Sequence, residues 1–495
     1  MQTILTPQQM KMLEEHAFSL GVPSLLVMEN AAREAFQALQ DVLGGIDGKT
    51  ILFLIGTGNN GGDGLAMARL CLLAGGKPRV VMLGDPKTKD AQANYAYAKT
   101  LEIPFIDFIT RHAQEVDAVV DALFGTGFHG ELPQETASII NTVNEWDVPR
   151  IAVDVPSGLD SSGGLMSQGC FHATHTIALG HLKTGHCLAK DKTKLGKIRV
   201  VPIGLPKKAY ESLGQDRLIT SLEETDLKDY LPKRAPDAHK GDNGRVLMYM
   251  GSLGMAGAAG MAAQAALACL RSGAGLVTIV CEREIIPILQ SLVPNAMCVP
   301  IEEAVKSRPR YDVFAVGCGL GQSDAIWENI VKLWSPDLPS VWDADALNLL
   351  AKNPMRLGEH AVMTPHPGEA ARLLNTSAAK VIDNPLSAAE RLQKTFGGIV
   401  LLKGDVSTIQ SENETAFNLV GSPALAKGGS GDALAGMIAT LIAQEPGKGL
   451  FNAARTASLW HGMAGRSAAR QLGLLSPLTK DVIDHLGIVA AFTAE

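Results

Sequence analysis

The stretch Lys427-Gly-Gly-Ser-Gly-Asp-Ala-Leu-Ala-Gly-Met-Ile-Ala-Thr-Leu-Ile442 sets three glycines, a serine and an aspartate directly before an apolar, helix-forming run. Gly428, Gly429 and Gly431 permit a tight turn and bring bare N–H groups close to an anion. The helix behind them adds unpaired N–H groups and a positive dipole end, a setting for a phosphate or a developing oxyanion. Asp432, at the helix start, can then take a proton from a hydroxyl beside that phosphate. The same composition suits a glycine-rich turn that Asp432 merely caps, so the motif has to be read with its surroundings. Lys403 closes the apolar run Ile399-Val-Leu-Leu402, where a phosphate could pair with it, and His366 sits between two prolines in Met363-Thr-Pro-His-Pro-Gly-Glu369. Ala315-Val-Gly-Cys-Gly-Leu-Gly321 and Ser340-Val-Trp-Asp-Ala-Asp345 contribute further glycines and carboxylates at strand ends. Together these residues describe a site for a phosphorylated, hydroxyl-bearing ligand.

The first half carries a second cluster, in Gly58-Asn-Asn-Gly-Gly-Asp-Gly64, Asp121-Ala-Leu-Phe-Gly-Thr-Gly-Phe-His-Gly-Glu131 and Asp154-Val-Pro-Ser-Gly-Leu-Asp160. The first of these is not the G-x-G-x-x-G dinucleotide fingerprint, but it shares the small residues and the helix N-terminus. Asn60, Asp121 and Ser157 offer hard oxygen ligands with one certain negative charge among them. That set suits a monovalent cation, or a polar contact to a ligand, better than a Ca²⁺ cage. No His/Cys group has zinc spacing. Lys183, in Gly180-His-Leu-Lys-Thr-Gly185, is either an acid–base group or a solvated loop lysine.

The elements that must position these groups follow from the apolar pattern. Thr50-Ile-Leu-Phe-Leu-Ile-Gly56 is a continuous apolar run ending in glycine, as in a parallel strand buried on both faces. Similar runs occur at 79–83, 117–121, 150–154, 174–179 and 197–202, with helical stretches between several of them. This alternation predicts a doubly wound, Rossmann-like sheet whose ligands bind at the carboxyl ends of the strands. Residues 7–40 read as one helix, opened by Thr6-Pro7-Gln8-Gln9 as N-cap, N1 proline and capping-box glutamine. Strands from Val246 and Ile399 and the Ala-rich stretch 258–270 give the second half an α/β reading as well. The chain turns polar across 221–236, which places a boundary near 215–225 and predicts domains 1–220 and 221–495.

At 495 residues the chain is too long for one core. A net charge of −7 and 5% aromatic residues argue against a general nucleic-acid surface. Seven scattered cysteines without a CxxC pair predict reduced, mostly buried thiols. The first residues lack a basic segment followed by an apolar core, and the most apolar helix is too short for a bilayer, so a cytoplasmic chain without membrane partners is expected.

Two resemblances rest on these motifs. NNGGDG, DALFGTG and DVPSGLD closely resemble the NAD(P)H-hydrate epimerase domain across roughly residues 1–220. The resemblance implies a Rossmann-like three-layer αβα sandwich in which Asn60, Asp121 and Ser157 hold K⁺. It also implies that Asn59, Asn60, Gly61, Gly62, Asp63, Gly125, Thr126, Gly127, Phe128, His129, Gly130, Glu131 and Asp154 contact a damaged dinucleotide, with Lys183 the acid–base candidate. The series HKGDNG, GCGLG, DADALN, TPHPGEAARL, LLKG and KGGSGD, over residues 225–495, resembles the ADP/ATP-dependent NAD(P)H-hydrate dehydratase domain of the ribokinase-like superfamily. That implies a ribokinase-like α/β domain with Asp432 as base and substrate contact. Ala258, Gly321 and His366 would line the hydrate site, and Lys403, Gly404, Asp405, Val406, Ser407 and Gly431 the nucleotide site. Ser430 stands where many relatives have Thr.

The expected function is repair of NADHX and NADPHX. The first half interconverts their R and S forms, and the second dehydrates the S form with ADP as phosphoryl donor and Mg²⁺ screening its phosphates. An oligomer of identical chains is expected. A small-molecule kinase of the same superfamily, acting on a hydroxymethyl heterocycle, and a nucleotide-binding module without catalysis in the first half are the competing readings.

Overall fold

The computed structural model describes residues 1–108, 115–213, 218–252, 256–307 and 310–494. Two compact units divide the chain: Thr3–Leu218, and Ile219–Glu495 together with Met1–Gln2. In the first unit a parallel sheet runs, edge to edge, Lys77–Met82, Thr50–Ile55, Ala118–Ala122, Arg150–Val153, His175–Leu179 and Lys197–Val201. Alternate residues of each strand enter opposite cores, as the two-residue side-chain period requires. Ile51, Phe53 and Ile55 face one core with the helices Pro7–Ser19, Ser24–Leu43 and Asn59–Leu73. Leu52 and Leu54 face the other with Gln134–Asn144. This is the expected three-layer sandwich.

The helix expected over 7–40 is two helices, Pro7–Ser19 and Ser24–Leu43. Gly21, at φ +92°, and Pro23, which lacks the N–H a continuing helix needs, break it. The expected cap is present: Thr6 accepts from the Gln9 N–H, and the Gln9 side chain accepts from the Thr6 N–H.

The second unit is built on the order Met297–Pro300, Leu276–Cys281, Arg245–Tyr249, Val313–Val316, Ser340–Trp342, Ala361–Met363 and Ile399–Leu402, all parallel. Ser407–Gln410 then turns back antiparallel and pairs with Thr415–Asn418, so Lys403–Val406 is a hairpin connection. Ile219–Ser221 pairs in parallel with Thr415–Asn418. One face packs against Ala256–Arg271, Ser430–Gln444 and Leu450–Leu472, the other against Asp324–Leu333, Ala344–Lys352 and Pro385–Phe396. No helix among the described residues is long and apolar enough to cross a membrane.

Candidate active sites

In the first unit the polar groups gather where the sheet's strands end. Helix Asn59–Leu73 begins immediately after the strand Thr50–Ile55, and its glycines allow that proximity. A Cβ at Gly61 would lie 2.0 Å from the Gly56 carbonyl oxygen, and one at Gly64 would lie 2.5 Å from the Ala122 methyl. Gly62 packs against Met28. Gly61 and Gly64 therefore seat the helix on the sheet and Gly62 packs it against a neighbouring helix, while Asn59, Asn60 and Asp63 line a cavity of ≈ 440 Å³. Gly125, Thr126, Gly127 and Phe128 form another part of its wall. His129, Gly130 and Glu131 run on toward the following loop, where Glu131 accepts from the Gln168 N–H at 3.1 Å and His129 lies 3.6 Å from Asp160.

Asp121 is fully buried, two residues before Leu123 of the cavity wall. Its carboxylate accepts from the Ser157 hydroxyl (2.6 Å), the Ser157 N–H (2.8 Å) and the Leu123 N–H (3.2 Å). The Ser157 oxygen in turn accepts from the Phe124 N–H at 3.0 Å. Burial pushes the Asp121 carboxyl up to about 6, with the Ser157 and Leu123 bonds opposing. No lysine or arginine among the described residues offsets that charge. Asn60, buried against Gly125, has an amide nitrogen without a hydrogen-bond partner. Since the oxygen and nitrogen of an amide can be exchanged by a flip, Asn60 can turn either atom to that place.

Asp154 ends the strand Arg150–Val153 at φ +65°, a left-handed conformation that costs a non-glycine residue ~1–3 kcal/mol unless its surroundings impose it. They do so here through several bonds. Its N–H donates to the Ile177 carbonyl (2.8 Å), and its carboxylate accepts from the Leu179 N–H and from Lys183 Nζ. Lys183 is fully buried, and Nζ also donates to the Leu179 carbonyl at 2.6 Å. His186 accepts from the Lys183 N–H at Nδ1, so its proton sits on Nε2, which donates to the Asp154 carbonyl (2.8 Å). Burial and the Lys183 charge hold this imidazole down at about 4, and it stays neutral. Lys183 is thus an ordered part of the cavity wall with Asp154, not a solvated loop lysine.

Glu14 lies outside the three strand-end motifs and shares this cavity. Its only sequence signal is a carboxylate on a stripe with Met10 and Phe18, at i−4 and i+4 of a helix that also buries Leu13 and Ala17.

The second unit assembles a comparable centre. Gly429, at φ +88°, is the N-cap of Ser430–Gln444, and no side chain caps that end, so the first N–H groups are not engaged by a capping group. Asp432 lies in the first turn and is buried. Burial and the neighbouring Asp343 carboxylate raise its pKa, with the Cys318 thiol and Lys403 opposing. Cys318 donates to the Asp432 carboxylate, and one ligand atom each from Cys318, Asp343 and Asp432 lie within 4.8 Å of one another. Lys403 Nζ donates to Asp343 Oδ1 at 2.7 Å, while buried Asp343 Oδ2 has no hydrogen-bond partner. Gly431 lies beside this pair, since a Cβ there would be 3.0 Å from Lys403 Nζ. Asp343 occupies the N-cap position of Ala344–Lys352 without a side-chain capping bond, and the next residue, Ala344, is left-handed at φ +49°.

His366 caps Pro367–Leu373. Its Nδ1 accepts from the Gly368 N–H (3.0 Å), and its own N–H donates to Glu369 (2.8 Å). Glu369 is buried, and burial pushes its carboxyl up to about 7 against the Lys403 charge. Gly321 donates to Asp345 at 2.9 Å. Gly404 and Asp405 lie in the hairpin connection. Val406 is buried, so only its backbone could meet a ligand, and Ser407 opens the returning strand. Ala258 is in helix Ala256–Arg271, its side chain outside the described residues, as are residues 253–255 of the preceding glycine-rich turn. Asp343, Cys318 and Glu369 carry no role in the sequence reading, although all three lie inside motifs it quotes.

Residues 24–185 match a family described as YjeF-related protein N-terminus, and residues 246–486 one described as NAD(P)H-hydrate dehydratase. The chain is 34% identical to a bifunctional NAD(P)H-hydrate repair enzyme of Moorella thermoacetica, over 98% of this chain and 96% of that one. It is 35% identical to a protein of the same description from Coxiella burnetii, over 97% and 98%. Among solved structures, the ADP/ATP-dependent NAD(P)H-hydrate dehydratase of Bacillus subtilis, crystallised with ATP and Mg²⁺, matches with TM-score 0.51 and 28% identity. The match covers 56% of this chain and 99% of that one. A ribokinase-like superfamily protein of Enterococcus faecalis matches with TM-score 0.51 and 27% identity, over 56% and 96%.

Proposed function

The chain belongs to the family of bifunctional NAD(P)H-hydrate repair enzymes, and from that membership we propose how its two sites divide the work. Two domains, 1–220 and 221–495, carry one activity each. The first interconverts the R and S forms of NADHX and NADPHX. The second dehydrates the S form at the expense of ADP. The carrying observation is Asp432, a buried carboxylate at an uncapped helix N-terminus with Lys403 and Gly431 beside it.

Water is a poor leaving group, so the hydrate's hydroxyl must be activated. Asp432 takes its proton, and the hydroxyl oxygen forms a bond to the terminal phosphorus of the nucleotide as the bridging P–O bond breaks. Phosphate then leaves carbon with the C–O electron pair, and loss of a proton from the adjacent carbon restores the ring double bond. A raised pKa makes Asp432 a stronger base near neutrality, and the helix N-terminus meets the phosphoryl charge. Lys403 pairs with a nucleotide phosphate. Gly404, Asp405, Val406, Ser407 and Gly431 complete the nucleotide site, and Gly321, His366 and Ala258 the hydrate site. Mg²⁺ neutralises phosphate charge when bound, and the unpartnered Asp343 Oδ2 suits a hard cation.

In the first domain Asp121, Ser157 and Asn60 are the residues that would hold K⁺. A fully buried carboxylate without a cationic partner, and a buried amide with an unpartnered atom, fit a monovalent ion. The ion supplies fixed positive charge at the strand ends. Asn59, Asp63, the 125–131 loop and Asp154 bind the dinucleotide.

Incubating the chain with pure S hydrate, then with pure R hydrate, each with and without ADP, tests this reading. S should return to reduced cofactor only with the nucleotide, and R should become S without it. A stable phosphorylated product accumulating in place of reduced cofactor would establish the kinase reading instead.

A further inference from the structure

The cavity of the first unit holds more acid than its strand-end motifs account for. Glu14, Asp63 and Asp154 line it together with a single lysine, Lys183, and Asp90 lies on the same wall. Ionising all three inner carboxyls around one lysine would leave uncompensated negative charge in a largely buried space, so the cluster retains a proton. Lys183 Nζ is committed to Asp154 and the Leu179 carbonyl. Asp154 is in turn fixed by Lys183 and the Leu179 N–H. Asp63 is buried just past the first turn of its helix. Glu14 differs from all of these. It projects from the middle of Pro7–Ser19 between Met10 and Phe18, both also on the cavity wall, and the hydrogen bonds that hold its neighbours do not tie it.

We propose that Glu14 is a catalytic residue of the epimerase cavity, the acid–base group that protonates the departing hydroxyl on the carbinol carbon of the hydrate and takes the proton back from the water that replaces it. The proposal rests on the epimerase reading above and deepens it. In a hydrated dihydronicotinamide the hydroxyl sits on the carbon next to the ring nitrogen. Protonated Glu14 gives its proton to that hydroxyl. The C–O bond breaks with its electron pair on oxygen, water departs, and the nitrogen lone pair forms a C=N⁺ bond. The carbon is now planar. Water adds to either face, the C=N⁺ π pair returns to nitrogen, and the added water loses one proton. Addition on the original face returns that proton to Glu14. Addition on the other face places it on a second cavity carboxylate, and exchange within the cluster reloads Glu14. No electrons are gained or lost overall, and no nucleotide is needed.

The electrostatics agree with the geometry. Burial, reinforced by Asp154 and Glu15 and opposed by Lys183, pushes the Glu14 carboxyl up to about 7. Asp63 is raised well above its ordinary value by burial, Asp154, Glu14 and Asp90. Glu14 is thus poised to change protonation at neutral pH, where a general acid–base group is most effective.

The test uses the full-length chain and pure R hydrate without nucleotide, with the two forms separated chromatographically and the uncatalysed rate subtracted. In the unmodified chain kcat/KM for epimerisation should fall as pH rises through about 7. Glu14→Gln keeps the side-chain shape. It should lower kcat by ~10²–10⁴-fold and abolish that pH limb with little change in KM. Dehydration of S hydrate with ADP, in the same preparation, should be unaffected. Glu14→Asp should recover part of the rate and restore a pH limb. Glu14→Gln with unmodified rate and pH limb overturns the assignment and leaves the epimerase reading standing. Equal losses in both variants, with the pH limb intact, overturn it as well by assigning Glu14 a structural role. An unmodified chain that leaves R hydrate unconverted overturns the epimerase reading, and this proposal with it.

Discussion

Asp432, Lys403 and Asp121 each make a different kind of claim testable. Asp432→Asn preserves shape and hydrogen-bonding capacity but cannot accept the proton, so dehydration should fall by ~10²–10⁴-fold with an unchanged melting temperature. Turnover near normal would leave the residue as a cap. Lys403→Met removes the charge that pairs with Asp343, whose carboxylate is almost completely buried. Stripping one partner from such a pair costs ~3–5 kcal/mol, so this variant should melt markedly earlier as well as bind ADP more weakly. Asp121→Asn removes the formal charge of the cation site. A ligand that binds only the native state raises its stability, so KCl should raise the melting temperature of the unmodified chain relative to LiCl at equal ionic strength. The variant should lose that difference and epimerise slowly, while dehydration persists. The residues legible in the sequence are those on which a glycine-rich motif and a strand end coincide. Asp343 and Cys318 escaped because their importance comes from convergence on Asp432, which lies far along the chain. Glu14 escaped because a carboxylate on a helix otherwise reads as a solvated face.

Among the elements, the parallel strands were the easiest to read, and for a physical reason. A strand buried on both faces sends successive side chains into two cores, so its sequence is apolar without interruption, as in Thr50–Ile55. The break between Pro7–Ser19 and Ser24–Leu43 was hidden because the apolar spacing continues on both sides of Gly21 and Pro23, and periodicity alone does not register a change of axis. Glycines were legible as positions but not as roles. The pair in Asn59-Asn-Gly-Gly-Asp63 reads as a ligand cradle, yet Gly61 is pressed against the Gly56 carbonyl and seats its helix on the sheet. Gly61→Ala should therefore destabilise the first unit by ~1–3 kcal/mol, the range of an overpacked core, and impair epimerisation without affecting dehydration. Gly428→Ala meets nothing within 4 Å. It should leave the unfolding free energy of the second unit within about 0.5 kcal/mol of the unmodified value.

At the scale of the whole molecule, each site is drawn from the residues of one unit, and each unit has its own pair of cores. Separate expression of 1–218 and 219–495 should give two folded proteins. The first should epimerise without nucleotide, and the second should dehydrate only S hydrate and only with ADP or ATP. Folded fragments that are inactive apart and active when mixed would refute the division. The cysteines supply a way to watch the two units in the intact chain. All seven are unpaired, and six are buried with Cys298 half-buried. Burial pushes the thiols of Cys71, Cys170, Cys187, Cys269 and Cys281 up to about 12, and burial with the Asp432 and Asp343 charges holds Cys318 well above the ordinary thiol value, so native thiolate is scarce. Cys71, Cys170 and Cys187 belong to the first unit, and Cys269, Cys281, Cys298 and Cys318 to the second. In rising denaturant, the count of alkylated sites should therefore climb in separate increments of three and four, and peptide mapping would identify which unit opens first. Nucleotide bound over Asp432 should delay labelling of Cys318 while the three thiols of the first unit keep their own pace.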